Sequence, residues 1–97
     1  MQRKVAATAA AQRHMARVAA IGCIVCIRLG YGESPCNVHH IREGRIARDD
    51  FLTLPMCRVH HVGAAMSIHM DKEPLLRALG VFSEFDLLAD VMRRMAR

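Results

Sequence analysis

The sequence predicts a small α+β domain stapled by metal. Three features of its 97 residues lead there: an Ala-rich opening stretch free of Pro and Gly, two short strand-like runs in the middle, and paired His and Cys residues at metal-ligand spacing. One domain is the natural size for such a chain, in which a hydrophobic core alone gives only modest stability. The core is also poor in large side chains, with no Trp, three Phe and one Tyr, while seven Met pack adaptably. A metal staple offsets that shortage.

Charge and cysteine usage narrow the class. The net charge is +5 and the pI about 9.6, which favours a polyanionic partner without naming one. No apolar run looks long enough to span a membrane, and the start lacks an uninterrupted signal-peptide core, so the expectation is no membrane and a cytoplasmic place. Four Cys could form two disulfides in a secreted chain. A Cys-x-x-Cys pair beside clustered His argues instead for reduced thiols and zinc.

Taken in order, Val5–Ile21 predicts a helix (about 5–21), with Gly22 as its stop signal. Arg13, His14 and Arg17 on it form either a solvated face or a phosphate-contacting one. Cys23-Ile-Val-Cys26 suits a turn offering two thiolates to one ion. Leu29 to Pro35 reads as a loop, Cys36–Ile41 as a short strand, and Arg42 to Asp50 as a polar loop. Phe51–Met56 is a second extended run, and Val59 to Ala65 begins a helix that Gly63 weakens. Asp71–Leu79 reads as a helix with Asp71 as N-cap and Gly80 at its end. Ser83-Glu-Phe-Asp86 resembles a capping box opening a last helix, on which Phe85, Leu88, Met92 and Met95 form the expected core stripe. Arg93, Arg94 and Arg97 load the end of that helix that favours cations. The domain division is thus helix, core about 22–70, and C-terminal helices about 71–97, all in a single domain 1–97.

Zinc takes four ligands tetrahedrally. Cys23/Cys26 and Cys57/His60 repeat the x-x spacing by which one turn supplies two ligands, and they are the expected structural site. Cys36 is the alternative to His60, in an all-Cys site; standing alone, it reads better as a buried apolar side chain. His39, His40, His61 and His69 are left for chemistry. A one-ion phosphodiester nuclease needs an ion at the scissile phosphate, a base for water and fixed geometry. Neutral imidazole can be ligand or base near neutral pH.

The segments Val38-His39-His40-Ile41 and Leu54-Pro55-Met56-Cys57-x-x-His60-His61, separated by a polar loop, resemble the HNH (ββα-metal) endonucleases that carry an accessory zinc knuckle. More narrowly the chain is similar to the phage Ref-type recombination-enhancement nucleases, on His14-Met15-x-Arg17-Val18-Ala19, Gly22-Cys23-Ile24-Val25-Cys26, Leu54-Pro55-Met56-Cys57 and Ile68-His69, followed by Gly80 and Leu87-Leu88. The resemblance spans about residues 13–92. It implies a ββα-metal core with flanking helices and hydrolysis of DNA in phage or prophage recombination, alongside a recombinase-DNA filament. It also implies His40 as general base and His39, His61 and His69 as ligands of a catalytic divalent ion (Mg²⁺, Mn²⁺ or Zn²⁺), beside a structural Zn²⁺. Arg42, Arg45, Arg48 and Arg58 would track phosphates; a solubilising role for them stays open.

Two departures stand out. The central Asn of the wider pattern is missing, with Asp50 and Thr53 near its place. His61 and His69 also lie too far apart for one helical turn, so Gly63 must allow a loop between them. Strand alternation would send His39 and His40 to opposite faces, which suits one as ligand and the other as base. A histidine base must be unprotonated, so activity is expected to fall below about pH 6.5, the ordinary imidazole value. The rival function is a zinc-stabilised module that binds nucleic acid or protein without cutting, which leaves His39/His40 unexplained. A redox protein using Cys23/Cys26 is weaker still, since no thioredoxin-like pattern surrounds them.

Overall fold

The computed structural model describes residues 6–96. Helix α1 (Ala9–Ala20) starts where the Thr8 side chain accepts from the Ala11 amide at 3.0 Å. Helix α2 (Ile24–Arg28), strands β1 (Asn37–His40) and β2 (Thr53–Met56), and helices α3 (Arg58–Val62), α4 (Lys72–Ala78) and α5 (Glu84–Met95) follow. The predicted α+β class is what forms. The start expected near position 5 falls partly on residues outside those described, as does Arg97.

The sheet is one antiparallel pair, with Asn37 opposite Met56, Val38 opposite Pro55, His39 opposite Leu54 and His40 opposite Thr53. Two strands alone are marginal in water. Here α1, α2 and α5 all pack on β2, and Thr53, Leu54, Pro55 and Met56 are all buried. That explains why the Phe51–Met56 run lacks alternation: both faces of β2 are covered. Leu54, Met56, Ile24, Val18, Leu75, Leu87 and Val91 form the core. Each such side chain contributes about 1.5–3 kcal/mol by leaving water.

Cys23-x-x-Cys26 is not a bare turn, because Cys23 is the N-cap of α2 and Cys26 lies within it. Gly22, at φ 92, makes the reversal between α1 and α2 in a region that other residues rarely adopt. By length and composition alone the stretch Ala9–Arg28 could cross a membrane, contrary to the sequence expectation. It is broken at Gly22, and Ala11, Val18, Ile24 and Val25 on it are buried in this domain. Arg28 fastens α2 to the C-terminal helices, donating to Asp90 Oδ2 at 2.8 Å and to the Leu79 carbonyl at 2.9 Å.

Two helix details differ from expectation. Asp71 precedes α4 but makes no side-chain cap; its Oδ2 accepts the Met66 amide at 2.7 Å instead. On α5 the capping box of Ser83 and Asp86 forms, yet the buried face is Glu84, Leu87, Asp90 and Val91. Leu88 and Met95 sit at its margin, while Phe85 and Met92 are exposed. The expected stripe is therefore rotated by about a third of a turn. Two carboxylates, at positions 84 and 90, occupy places that an apolar count skips.

Candidate metal centres and their surroundings

Two groups of metal-ligand side chains meet around the short helix α3. Cys57 is its N-cap and His60 lies one turn on, so both reach the same side. The Cys23–Cys26 turn comes up against them. His60 Nδ1 lies 3.8 Å from Cys23 Sγ, 3.4 Å from Cys26 Sγ and 3.3 Å from Cys57 Sγ, and Cys26 Sγ is 3.8 Å from Cys57 Sγ. A tetrahedral zinc with bonds of about 2.3 Å to sulfur and 2.0 Å to nitrogen separates its ligands by about 3.8 Å (S to S) and 3.5 Å (S to N). These four residues fit that ion. Cys36 stays outside the group, its thiol donating to the Ala19 carbonyl at 3.4 Å.

The electrostatics of the four side chains suit a bound cation. Burial pushes the Cys23 thiol up to about 12, so a bare thiolate there is costly. Burial also acts to raise Cys57, but the His60 and Val59 amides and the Cys23 and Cys26 thiols outweigh it and lower its pKa. Burial lowers His60, keeping its imidazole neutral and able to ligate.

The second group is His39, His61 and His69, whose ligand atoms lie within 4.8 Å of one another. Ring centroids are 5.1 Å apart for His39 and His61, 5.3 Å for His39 and His69, and 4.7 Å for His61 and His69. The expected loop between His61 and His69 is present. The chain leaves α3 at Gly63 and folds back, so that the Ile68 amide donates to the His60 carbonyl at 2.7 Å and the His69 amide to the His61 carbonyl at 3.2 Å. Ser67, fully buried, ties the turn by donating to the Gly63 carbonyl at 2.8 Å. Burial lowers the His61 pKa, and the neighbouring His39 and His69 lower it further. Three imidazoles facing one another offer the nitrogen donors that suit a divalent ion.

His39 and His40 reach different surroundings, as strand alternation requires. His39 is buried and bonded through Nε2 to Glu84. His40, half-buried, meets Asp50 instead, Nε2 to Oδ1 at 2.8 Å. Asp50 closes the far end of the polar loop, beside a groove of about 760 Å³ that Phe51, Arg48, Met15 and Thr8 help to line. Arg42, Arg45 and Arg48 stand exposed on that loop and Arg58 is exposed at the start of α3; among the described residues none has a carboxylate within ion-pair distance. On α1, Arg13 and Arg17 are exposed, while His14 packs on Phe51 at 5.0 Å between ring centroids.

Sequence reasoning missed Glu84 and Lys72. Glu84 is 1% exposed, and Lys72 Nζ lies 2.8 Å from its Oε2. A signal was there: Glu84 shares a helical face with Leu87, Leu88, Val91 and Met95, an unusual place for a carboxylate. Burial acts to raise the Glu84 pKa, but hydrogen bonds and charge from His39 and Lys72 win, so the carboxylate stays ionised below its usual range.

The fold and side-chain groups define a small α+β domain with one four-ligand cluster fit for zinc and a trihistidine beside it. The chain belongs to the family of recombination enhancement, RecA-dependent nucleases, whose profile matches residues 7–89. No curated protein matches it significantly. The family description makes it a nuclease of recombination, with DNA as the substrate such an activity requires.

Proposed function

We propose that the protein is a metal-dependent DNA endonuclease of the HNH type, acting as one domain over 1–97 in phage or prophage recombination. The observation that carries this reading is the convergence of His39, His61 and His69, together with a second group, Cys23, Cys26, Cys57 and His60, that fits a structural zinc. A divalent ion (Mg²⁺, Mn²⁺ or Zn²⁺) on the three imidazoles would supply charge neutralisation at the scissile phosphate and at the leaving 3′ oxygen. His40 acts as general base. With Nε2 engaged by Asp50, its Nδ1 is the nitrogen left to take a proton from water, which attacks phosphorus in line and leaves a 5′-phosphate. Asp50 fixes the ring as the missing central Asn would, from the loop end where the sequence departs from the wider pattern. Arg42, Arg45, Arg48 and Arg58 bind phosphates as unpaired surface cations.

The family description supports work on DNA carrying a recombinase filament, since it names the nuclease as RecA-dependent. A plasmid-nicking assay with Mg²⁺ or Mn²⁺, with that filament present and absent, tests the reading. Wild type is expected to nick, and His40→Ala and His61→Ala to lose nicking while still binding DNA. Equal nicking by all three, or none by wild type under either condition, rejects it in favour of a zinc-stabilised binding module.

A further inference from the structure

The trihistidine is backed by a buried polar network that the reading above does not use. Glu84, first residue of α5, is 1% exposed and shares the buried side of that helix with Leu87, Asp90 and Val91. Its Oε1 is bonded to His39 Nε2, and its Oε2 lies 2.8 Å from Lys72 Nζ. Lys72 also reaches Glu43 Oε1 at 3.3 Å, and that same oxygen accepts the Glu84 amide at 2.6 Å. Three segments, the loop after β1 and the starts of α4 and α5, thus converge behind one imidazole.

Packing alone does not explain this arrangement. Buried ion pairs are often replaceable by apolar side chains at no loss of stability, so a Leu at position 84 would serve a purely structural core as well. Both Glu84 oxygens are already engaged, which makes it a poor direct ligand. What the network does supply is orientation and charge. A ligating histidine commonly donates its second N–H to a carboxylate, which sets tautomer and ring angle and raises ligand basicity. Glu84, Glu43 and Lys72 together also leave one net negative charge behind the three imidazoles, which favours a cation in front of them.

We propose that Glu84, braced by Lys72 and Glu43, is the positioning residue of the trihistidine: it holds His39 Nε2–H and leaves Nδ1 as the nitrogen for an ion shared with His61 and His69. This rests on the trihistidine ion proposed above, and the experiment separates the two. Ni²⁺, which suits imidazole ligands, is titrated calorimetrically into zinc-loaded wild type, His61→Ala, Glu84→Ala, Glu84→Gln and Lys72→Met. Long-range ¹H–¹⁵N spectra of the same proteins without nickel report the His39 tautomer.

The expected result is a loss of Ni²⁺ affinity of about 10–100-fold in Glu84→Ala. Glu84→Gln, whose amide oxygen still accepts from His39, loses less, and Lys72→Met falls between wild type and Glu84→Ala. His39 is expected as the Nε2–H tautomer in wild type and Glu84→Gln, and as a mixture in Glu84→Ala. Wild-type affinity in a folded Glu84→Ala, or an Nδ1–H tautomer for His39 in wild type, overturns the proposal. Should Glu84→Ala not fold, the isosteric Glu84→Gln and the Lys72→Met variant decide by the same two readouts. If His61→Ala binds Ni²⁺ as wild type does, the shared ion is rejected, and the tautomer still decides what Glu84 does.

Discussion

A methyl group on Gly63 would stand 2.3 Å from the carbonyl oxygen of Val59, inside any permitted contact. Gly63 thus ends α3 by letting the backbone turn against its own helix, and the turn carries His69 back beside His61. Gly63→Ala should therefore destabilise the fold by about 1–3 kcal/mol, the usual range for overpacking. Thermal unfolding measures the loss, and metal analysis should show the trihistidine ion weakened before the zinc is lost.

Zinc removal should destabilise the domain. With a core short of large side chains, the Cys23, Cys26, Cys57 and His60 cluster ties α2 to α3, and such ions contribute folding energy directly. Cys26→Ser or a strong chelator should lower the melting temperature and abolish zinc stoichiometry. Cys36→Ser, outside the cluster, should leave one zinc per chain; if it loses the ion, the ligand set is wrong.

Asp50→Ala should slow cleavage while sparing DNA affinity, because it frees the His40 ring that the 2.8 Å contact orients. The expected loss is smaller than the roughly 10²–10⁴-fold loss of His40→Ala, the usual contribution of a general base. Single-turnover rates and a binding assay on the same substrate separate the two effects.

Acid should destabilise the metal-free protein. His60 and His61 both have lowered pKa values in the fold, so below the ordinary imidazole value of about 6.5 the unfolded chain takes up protons that the folded one refuses. Stability is fully present above that value and declines as pH falls through the folded values. Glu84 and Asp90 act in the same direction at lower pH, since both carboxylates are held below their usual range, Asp90 by Arg28 and Arg94 against the effect of burial. Denaturant titrations of the apoprotein at pH 7.5, 6 and 5 should give falling midpoints; a flat series would contradict the shifts.

Removing Arg42, Arg45, Arg48 or Arg58 should weaken DNA binding evenly across sequences. Each lost phosphate contact should reduce the slope of log affinity against log salt by about 0.9 on duplex DNA. A variant with unchanged slope has no such contact.

Local spacing made much of this domain legible. Cys23/Cys26 and Cys57/His60 declare themselves because one turn can supply two ligands, and Ser83 with Asp86 because a capping box is a four-residue pattern. Pairings across the chain left weaker marks. That Asp71 would turn to the Met66 amide depends on the return of the chain after Gly63, which no local rule supplies. The α5 stripe went astray for a related reason. Glu84 and Asp90 are drawn inward by His39, Lys72 and Arg28 from elsewhere in the chain, and a count of apolar positions cannot see them. The exposed Phe85 and Met92 are the visible result of that rotation.

His60 and His61 are sequence neighbours that send their rings to different clusters. One peptide link therefore yokes the thiolate cluster to the trihistidine. Drift at that turn is penalised twice, once in each set of donors. Among relatives of this chain, variation should accordingly be nearly silent along the Cys57–His61 turn.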